Sequence, residues 1–336
     1  MMMRAAPARL HHGALGLFLS LLVLVLFVLS LFLGPADLGL PDLFKAIDGD
    51  DGILQAIFWQ IRLPRALLAV LVGGSLGLSG AALQGLLRNP LAEPGVIGVS
   101  ASAGFGAVLA LYFSAAGLSL SVPLAAMTGA FLATALLLVL ARRDASVLSL
   151  ILAGVAINAL AGALTALALN LSPNPFALAD MVHWLMGSFA DRSHRDVMMA
   201  APFIIMGMAL LLLSGRGLRG LVLGEETAQS LGINPARLRL LVTLGAALCV
   251  GAGVAVAGAI GFVGLVVPHI LRPWVGYDPA RLLWPSALGG AALLLGADSL
   301  VRLLPGGQEL KLGVVTALIG APVFLHLIWS TRRLMR

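Results

Sequence analysis

The sequence predicts an all-α membrane protein with about ten transmembrane helices in a single domain over residues 1–336. The chain is 60% hydrophobic and only 11% charged, whereas a soluble domain carries about a quarter charged residues. Apolar runs of about 20 residues, the length that crosses a bilayer as a helix, recur along it. These runs do not alternate in polarity at every second residue, as the strands of a membrane barrel would.

Ten apolar runs are predicted to span the membrane. The first is longer than the apolar core of a signal peptide, and no small-residue cleavage site follows it. The ten runs cover residues 14–34, 65–87, 95–114, 120–141, 147–169, 196–214, 239–258, 260–271, 283–303 and 313–330. Residues 240–271 are nearly continuous and rich in Gly and Ala, so one span followed by a re-entrant segment is equally consistent with them.

Loop charges predict the orientation of the chain. If residues 1–13 are cytoplasmic and the number of spans is even, three groups of arginines fall in the cytoplasm, as the positive-inside rule requires. These groups are Arg142-Arg143, Arg216-Arg219 and Arg332-Arg333-Arg336. Residues 36–60 and 170–195 then form long outside loops, and both termini are cytoplasmic. Because the net charge of +6 is explained by these loops, it does not indicate nucleic-acid binding.

Several classes of chemistry have no motif in the sequence. It contains no G-x-x-x-x-G-K-[ST] or H-E-x-x-H motif, so the chain is predicted not to be an enzyme. The single cysteine, Cys249, allows no intrachain disulfide and no thiolate metal cluster. Within the spans, Asp298 and His269 are ionisable candidates. A proton-coupled secondary transporter usually needs such groups at mid-membrane, so it remains only an alternative class.

Four basic residues are predicted to lie at the outer end. Arg62 and Arg65, in "IRLPR", flank a helix start suggested by Pro64, and Arg302 and Lys311 also point outward. Their side chains either snorkel at the membrane interface or form a basic site for acidic residues of a soluble partner.

The stretch "LGEETAQSLGI" follows the cytoplasmic "GRGLRG" and resembles a short helix. Glu225 and Glu226 suit its N-terminus, and Gly232 suits the position after its end. Ala228 and Leu231 are predicted to share a face. The stretch is either a solvated connector or a docking helix for a cytoplasmic protein.

Two histidines, His183 and His194, lie in the second outside loop. Histidine side chains can ligate haem iron. Ordinary solvated loop histidines explain them equally well, so they are only possible haem contacts.

Four ordered motifs together resemble the FecCD-type permease family of bacterial ABC importers, whose members carry cobalamin, ferric siderophores and haem. They are "RLPRALLAVLVGGSLGLSGAALQGLLRNPLAEPGVIGVSASAG", "LGEETAQSLGI", "GAIGFVGLVVPHILR" and "LGVVTALIGAPVFL". The resemblance extends from about Arg62 to the C-terminus. It implies a ten-span permease in the bacterial inner membrane that works as a homodimer, with the pathway between the two copies.

The resemblance also implies partners and site residues. Two cytoplasmic ATPase subunits would hold ATP and Mg²⁺, and a periplasmic binding protein would deliver the ligand, so this chain itself binds no cofactor. The coupling segment, Gly224–Gly232, would lie within cytoplasmic residues 221–235, Arg62 and Arg65 would contact the binding protein, and Asn89 and Leu91 would lie near the inner constriction.

The resemblance favours haem among the possible iron chelates. "ELKLGVVTALIGAP" and "GEETAQSLG" are most similar to haem permeases. Val147 and Leu148 occupy pathway positions where small hydroxyl residues are expected in cobalamin permeases, which counts against cobalamin. Ferric siderophores and cobalamin remain alternatives.

Overall fold

The computed structural model describes residues 12–34, 39, 52–115, 117–118, 120–141, 147–304 and 309–332. All regular elements within these ranges are helical. This is expected in lipid, where every backbone N–H and C=O must find its partner within the segment. The described ranges leave out residues 1–11, which make up most of the predicted cytoplasmic N-terminus. They also leave out Arg142, Arg143 and the last four residues, so part of the predicted asymmetry in loop charge lies outside them.

The helices are numbered here in chain order. They are α1 (His12–Phe32), α2 (Gly52–Leu86), α3 (Val99–Ala115), α4 (Val122–Ala141), α5 (Val147–Asn170), α6 (Pro175–Leu185), α7 (His194–Leu213), α8 (Gly215–Leu221), α9 (Glu225–Ser230), α10 (Pro235–Ala257), α11 (Val263–Leu271), α12 (Pro279–Leu303) and α13 (Leu312–Arg332). Within the described ranges, seven of them are long and apolar enough to cross a membrane, namely α1, α2, α4, α5, α7, α10 and α12. Shorter apolar helices, α3, α11 and α13, occupy the remaining predicted spans, so the predicted fold class is confirmed.

The ambiguous stretch 240–271 contains one full span and one short helix. The full span, α10, ends at Ala257, and residues 258–261 are not helical. The following helix, α11, has nine residues, which at 1.5 Å per residue measure about 14 Å. Taken alone this is shorter than a hydrocarbon core of about 30 Å, which favours the alternative of a re-entrant segment over 260–271.

Two predicted outside loops are partly helical. The second span does not begin near Pro64, because α2 continues back to Gly52 through a π-helical stretch at Ile57–Arg62. The loop over residues 170–195 contains α6. Long apolar runs located the centres of these spans but not their polar extensions.

Local capping chemistry explains where several helices begin. Asn174, Asn234 and Asp278 each precede a proline, and each side chain accepts a hydrogen bond from a backbone N–H of the following helical turn. Proline is favoured at the first helical position because its missing N–H would have no partner there. The pairs Asn-Pro and Asp-Pro therefore fix the starts of α6, α10 and α12.

The centre of the bundle is formed by α2, α10 and α12. In their most apolar windows 83%, 78% and 61% of residues are buried, against 22–28% for α1, α4, α5 and α7. Glycines allow the close approach, since a β-carbon on Gly73 would overlap the backbone oxygen of Gly290 and one on Gly77 that of Ser286. Helices in lipid associate through such close packing of small residues.

Candidate functional site

Five charged side chains meet at the predicted outer end and form what we call the arginine cluster, namely Arg62, Arg65, Asp298, Arg302 and Glu309. Arg65 donates two parallel hydrogen bonds to Glu309, at 3.1 and 2.9 Å. Its Nε donates to both oxygens of Asp298 at 3.0 Å. Arg302 Nη2 lies 3.0 Å from Asp298 Oδ2, so two guanidinium groups share one buried carboxylate.

The same end of the molecule fixes the C-terminus of α1. Arg62 Nη1 donates to the backbone oxygens of Leu31 and Phe32 at 2.8 and 2.6 Å. Arg302 Nη1 donates to the backbone oxygen of Ser30 at 2.9 Å. The last carbonyl groups of a helix lack partners within it and carry partial negative charge. The two arginines therefore cap α1 and connect it to α2 and α12.

All four residues predicted to dock a soluble partner line one cavity of about 530 Å³, namely Arg62, Arg65, Arg302 and Lys311. Three of them are almost fully buried. Arg62 is 3% exposed, Arg65 is 7% exposed and the Arg302 side chain is 3% exposed, because each is engaged within the chain. Lys311 is half-buried. Their docking role stays a prediction.

The two histidines considered as haem contacts have different surroundings. His183 lies in the last turn of α6 and lines the same cavity as the arginines. His194 begins α7, and its Nε2 lies 2.5 Å from the backbone oxygen of Trp59. A carbonyl oxygen only accepts, so Nε2 is the donor in this contact and is not free to ligate iron there. A haem contact stays a prediction for both residues.

The coupling segment contains α9, as predicted. Gly224 precedes the helix with φ 107° and Gly232 follows it with φ 81°, both backbone angles that a β-carbon would strain. Glu225 and Glu226 occupy the first turn, where the partial positive charge of the N-terminus stabilises acids. Glu225 Oε1 also lies 2.9 Å from Arg239 Nη1. The predicted helix ends are therefore confirmed, and the role in coupling stays a prediction.

The apolar residues of this region face in different directions. Ala228 is fully buried and Leu231 is 62% exposed. The prediction that they share a face is wrong, because Leu231 is the cap residue at which the helix ends. Val222 and Leu223, just before the segment, are 62% and 63% exposed. Exposed large apolar side chains grouped around one short helix are typical of a protein contact surface.

Residues 88–95 reverse the chain between α2 and α3, and we call them the gate loop. Arg88 has φ 48°, and the Asn89 side-chain oxygen accepts a hydrogen bond from the Leu91 backbone N–H at 2.9 Å. Asn89 and Leu91 are both exposed. Arg88 lines a cavity of about 320 Å³ together with Glu225, so the gate loop and the coupling segment lie at the same end.

The other two predicted pathway residues, Val147 and Leu148, are the first residues of α5. Residues 142–146 lie outside the described ranges. Leu148 is 64% exposed. The pathway role of all four predicted gate residues stays a prediction.

Two polar residues that the sequence analysis missed hold the gate loop in place. Glu93 Oε1 accepts a hydrogen bond from the Phe262 backbone N–H at 2.6 Å. Gln84 is buried, and its Nε2 donates to the backbone oxygens of Ala92 and Gly264 at 3.3 and 3.2 Å. Gln84 was detectable in principle, because a polar residue inside an apolar span needs a hydrogen-bond partner.

Comparison with known proteins agrees with this architecture. The FecCD transport family model matches residues 22–330. The vitamin B12 import system permease protein BtuC of Vibrio cholerae is 44% identical, over 95% of this chain and 93% of its own length. The hemin transport system permease protein HmuU of Yersinia pestis is 39% identical, over 94% of this chain and 95% of its own length.

A solved structure gives the same result for the fold. An inward-facing metal-chelate type ABC transporter matches with a TM-score of 0.85 and 35% identity, over 95% of this chain and 99% of its own. The family match covers nearly all of the sequence, and the apolar helices lie where the apolar runs predicted spans. The chain is a multi-pass membrane protein and belongs to the FecCD transport family of ABC importer permeases.

Proposed function

We propose that the chain is the membrane-spanning subunit of an importer for cobalamin, with haem as the second candidate. The observation that carries this proposal is the 44% identity to a vitamin B12 permease over 95% of the chain. Haem, which the sequence motifs favoured, has weaker support from the 39% identity to a hemin permease. Both ligands are metal complexes of a four-ring macrocycle, so a pathway wide enough for one suits the other in size.

The surfaces at the two ends of the molecule suggest which partner binds at each. Two ATPase subunits in the cytoplasm hydrolyse ATP and contact the coupling segment, where the exposed Val222, Leu223 and Leu231 suit a protein contact. A periplasmic binding protein docks over the cavity beside the arginine cluster. The permease works as two copies with the pathway between them, in the bacterial inner membrane with both termini cytoplasmic. The exposed apolar faces of α4 and α5 suit contact with lipid and with the second copy.

The proposed pathway is mainly apolar. A cavity of about 650 Å³ lies between α6 and α13, and its lining includes Leu185, Met186, Val314 and Leu318. Few polar groups face this cavity, so a large chelate would be held weakly and could leave again. Movement of α9 after ATP-driven closure of the ATPase subunits would then open and close this passage.

An ion-coupled secondary transporter is the alternative class. Such carriers use intramembrane acids or histidines that exchange protons with the cargo. Asp298 is instead held between Arg65 and Arg302, which is a structural pairing. This geometry favours energisation by ATP.

Uptake into proteoliposomes tests the substrate. The vesicles contain the permease with its ATPase subunits, and the binding protein and either cobalt-labelled cyanocobalamin or haem are added. We expect ATP-dependent accumulation of cobalamin that unlabelled cobalamin abolishes. Accumulation of haem without cobalamin would assign the second candidate, and ATP-dependent uptake of neither would overturn the proposal.

A further inference from the structure

Phe262 has an unusual backbone conformation at the start of α11. Its φ is 67° and its ψ is −22°, in the left-handed region that bulky residues rarely adopt. Such outliers persist only where the surroundings hold them, and they concentrate at functional sites. Residues 258–261, just before Phe262, form the break between α10 and α11.

Two contacts hold Phe262 in this conformation. Its backbone N–H donates to Glu93 Oε1 at 2.6 Å. Its side chain packs against Gly320 of α13, where an added β-carbon would overlap the Cβ of Phe262. The backbone oxygen of Phe262 then accepts from Val266 N at 2.9 Å and so begins α11. The carboxylate and the glycine thus support the strained residue from two neighbouring segments.

Glu93 belongs to the gate loop, which makes further contacts with α11. Gln84 Nε2 donates to Ala92 in the loop and to Gly264 in α11. An added β-carbon on Gly264 would lie 2.8 Å from the Pro94 Cδ. The gate loop and the first turn of α11 are therefore packed and hydrogen-bonded as one unit.

The end of α10, just before this break, is also connected by hydrogen bonds toward the opposite end of the molecule. Ser188 N donates to the backbone oxygen of Ala257 at 2.8 Å, and Leu312 N donates to that of Gly187 at 2.9 Å. Leu312 begins α13, three residues after Glu309 of the arginine cluster. Phe262 thus lies where α10, α11, α13 and the gate loop meet.

We infer that Glu93 is a positioning residue for transport, whose carboxylate oxygen fixes the backbone of Phe262 and thereby ties the gate loop to α11. The role requires a hydrogen-bond acceptor at this atom. It requires neither the charge nor an exchangeable proton. The inference rests on the proposed function, because transport is the reaction that Glu93 would serve.

The variants Glu93→Gln and Glu93→Ala separate these roles. Glutamine keeps an acceptor oxygen at the same reach, and alanine removes it. Because a partly buried backbone N–H left without its acceptor costs a factor of about ten, we expect Glu93→Ala to lower the ligand transported per ATP by about tenfold. Glu93→Gln should stay within about threefold of wild type by the same reasoning. Equal impairment of both variants would mean that charge or a proton is needed, and would overturn the inference.

A second pair of variants leaves Glu93 unchanged and covers the case in which Glu93→Ala does not fold. Gly320→Ala forces α13 and Phe262 apart, whereas Gly296→Ala adds a β-carbon that meets nothing within 4 Å. We expect transport per ATP to fall in Gly320→Ala and to stay at the wild-type level in Gly296→Ala. Equal transport in the two would overturn the inference. Absence of ATP-dependent uptake in the wild type would instead contradict the proposed function.

Discussion

The two ends of the bundle differ in how far their charged and apolar side chains are buried. At one end Arg65, Arg302 and Asp298 are buried and satisfied within the chain. At the other, Leu223 and Leu231 remain exposed beside a short helix, and the Glu225–Arg239 ion pair is partly open to solvent. The first end is therefore organised by the permease itself, and the second has the character of a surface that a partner covers.

The largest expected effect follows from neutralising Asp298. Asp298→Asn leaves Arg65 and Arg302 without their shared buried carboxylate, and breaking a buried pair in this way costs about 3–5 kcal/mol. We expect a large fall in the thermal midpoint of the purified permease. The matched change at the other end, Glu225→Gln, removes a partly exposed pair and should cost about 1 kcal/mol or less. Equal falls in the thermal midpoint of the two variants would contradict the proposed difference between the two ends.

A smaller effect is expected at the end of α1. Arg62→Ala removes the guanidinium that binds the Leu31 and Phe32 carbonyl groups. Hydrogen bonds to charged groups contribute about 1.5–3 kcal/mol, and only 22% of the most apolar window of α1 is buried. Amide hydrogen exchange in the last turn of α1 should accelerate. Arg216→Ala, which alters an exposed arginine at the opposite end, serves as the control and should leave that exchange unchanged.

A substitution at the coupling end should weaken binding of the ATPase subunits and have little effect on the stability of the permease. Leu231→Ser changes an exposed side chain, so the stability of the isolated permease should stay within about 0.5 kcal/mol of wild type. Affinity for the ATPase subunits should fall by about tenfold, the size typical of an important apolar contact residue. The measurement is the dissociation constant in detergent, with Thr227→Ala as an exposed neighbouring control. A normal affinity would leave the segment as a plain connector.

The smallest effect concerns Asp278, which caps α12 and lies 2.9 Å from Arg219 Nη2. Burial raises the pKa of this carboxyl, but hydrogen bonds from Arg219 and from the backbone of Arg281 and Ala280 outweigh it, so the pKa lies below 3.8. A carboxyl with a lowered pKa stabilises the fold above its unfolded-state pKa and loses this contribution as the pH falls through the folded-state value.

Asp278→Asn should therefore lower the thermal midpoint slightly at pH 7. The difference from wild type should shrink as the pH falls below 3.8. A difference that stays constant down to the lowest accessible pH would show that the ion pair contributes nothing and that only the helix cap matters.

Local chemistry made the helices predictable from the sequence. Apolar runs located the ten segments, and the glycines at 224 and 232 marked the ends of α9 as predicted. The start of α2 was not predictable in this way, because residues 52–60 mix polar and apolar side chains without a capping motif before them. The break at residues 258–261 is glycine-rich like the helices around it, so composition could not separate them.

The site residues were less predictable, because their partners are distant in the chain. Arg65 and Asp298 are 233 positions apart, and no local pattern relates them, so their buried pairing could not be predicted from the sequence. Glu93 looks like part of an ordinary turn in "RNPLAEPG". Its contact with Phe262 exists only because the short helix α11 folds back beside the gate loop.

The energy source of uptake tests the central claim most directly. Proteoliposomes that contain the complete importer are given labelled cobalamin, with ATP or with an imposed proton gradient. An ABC importer permease predicts uptake that requires ATP, stops with vanadate and persists when the proton gradient is dissipated. Uptake that proceeds without nucleotide and follows the proton gradient would contradict the account.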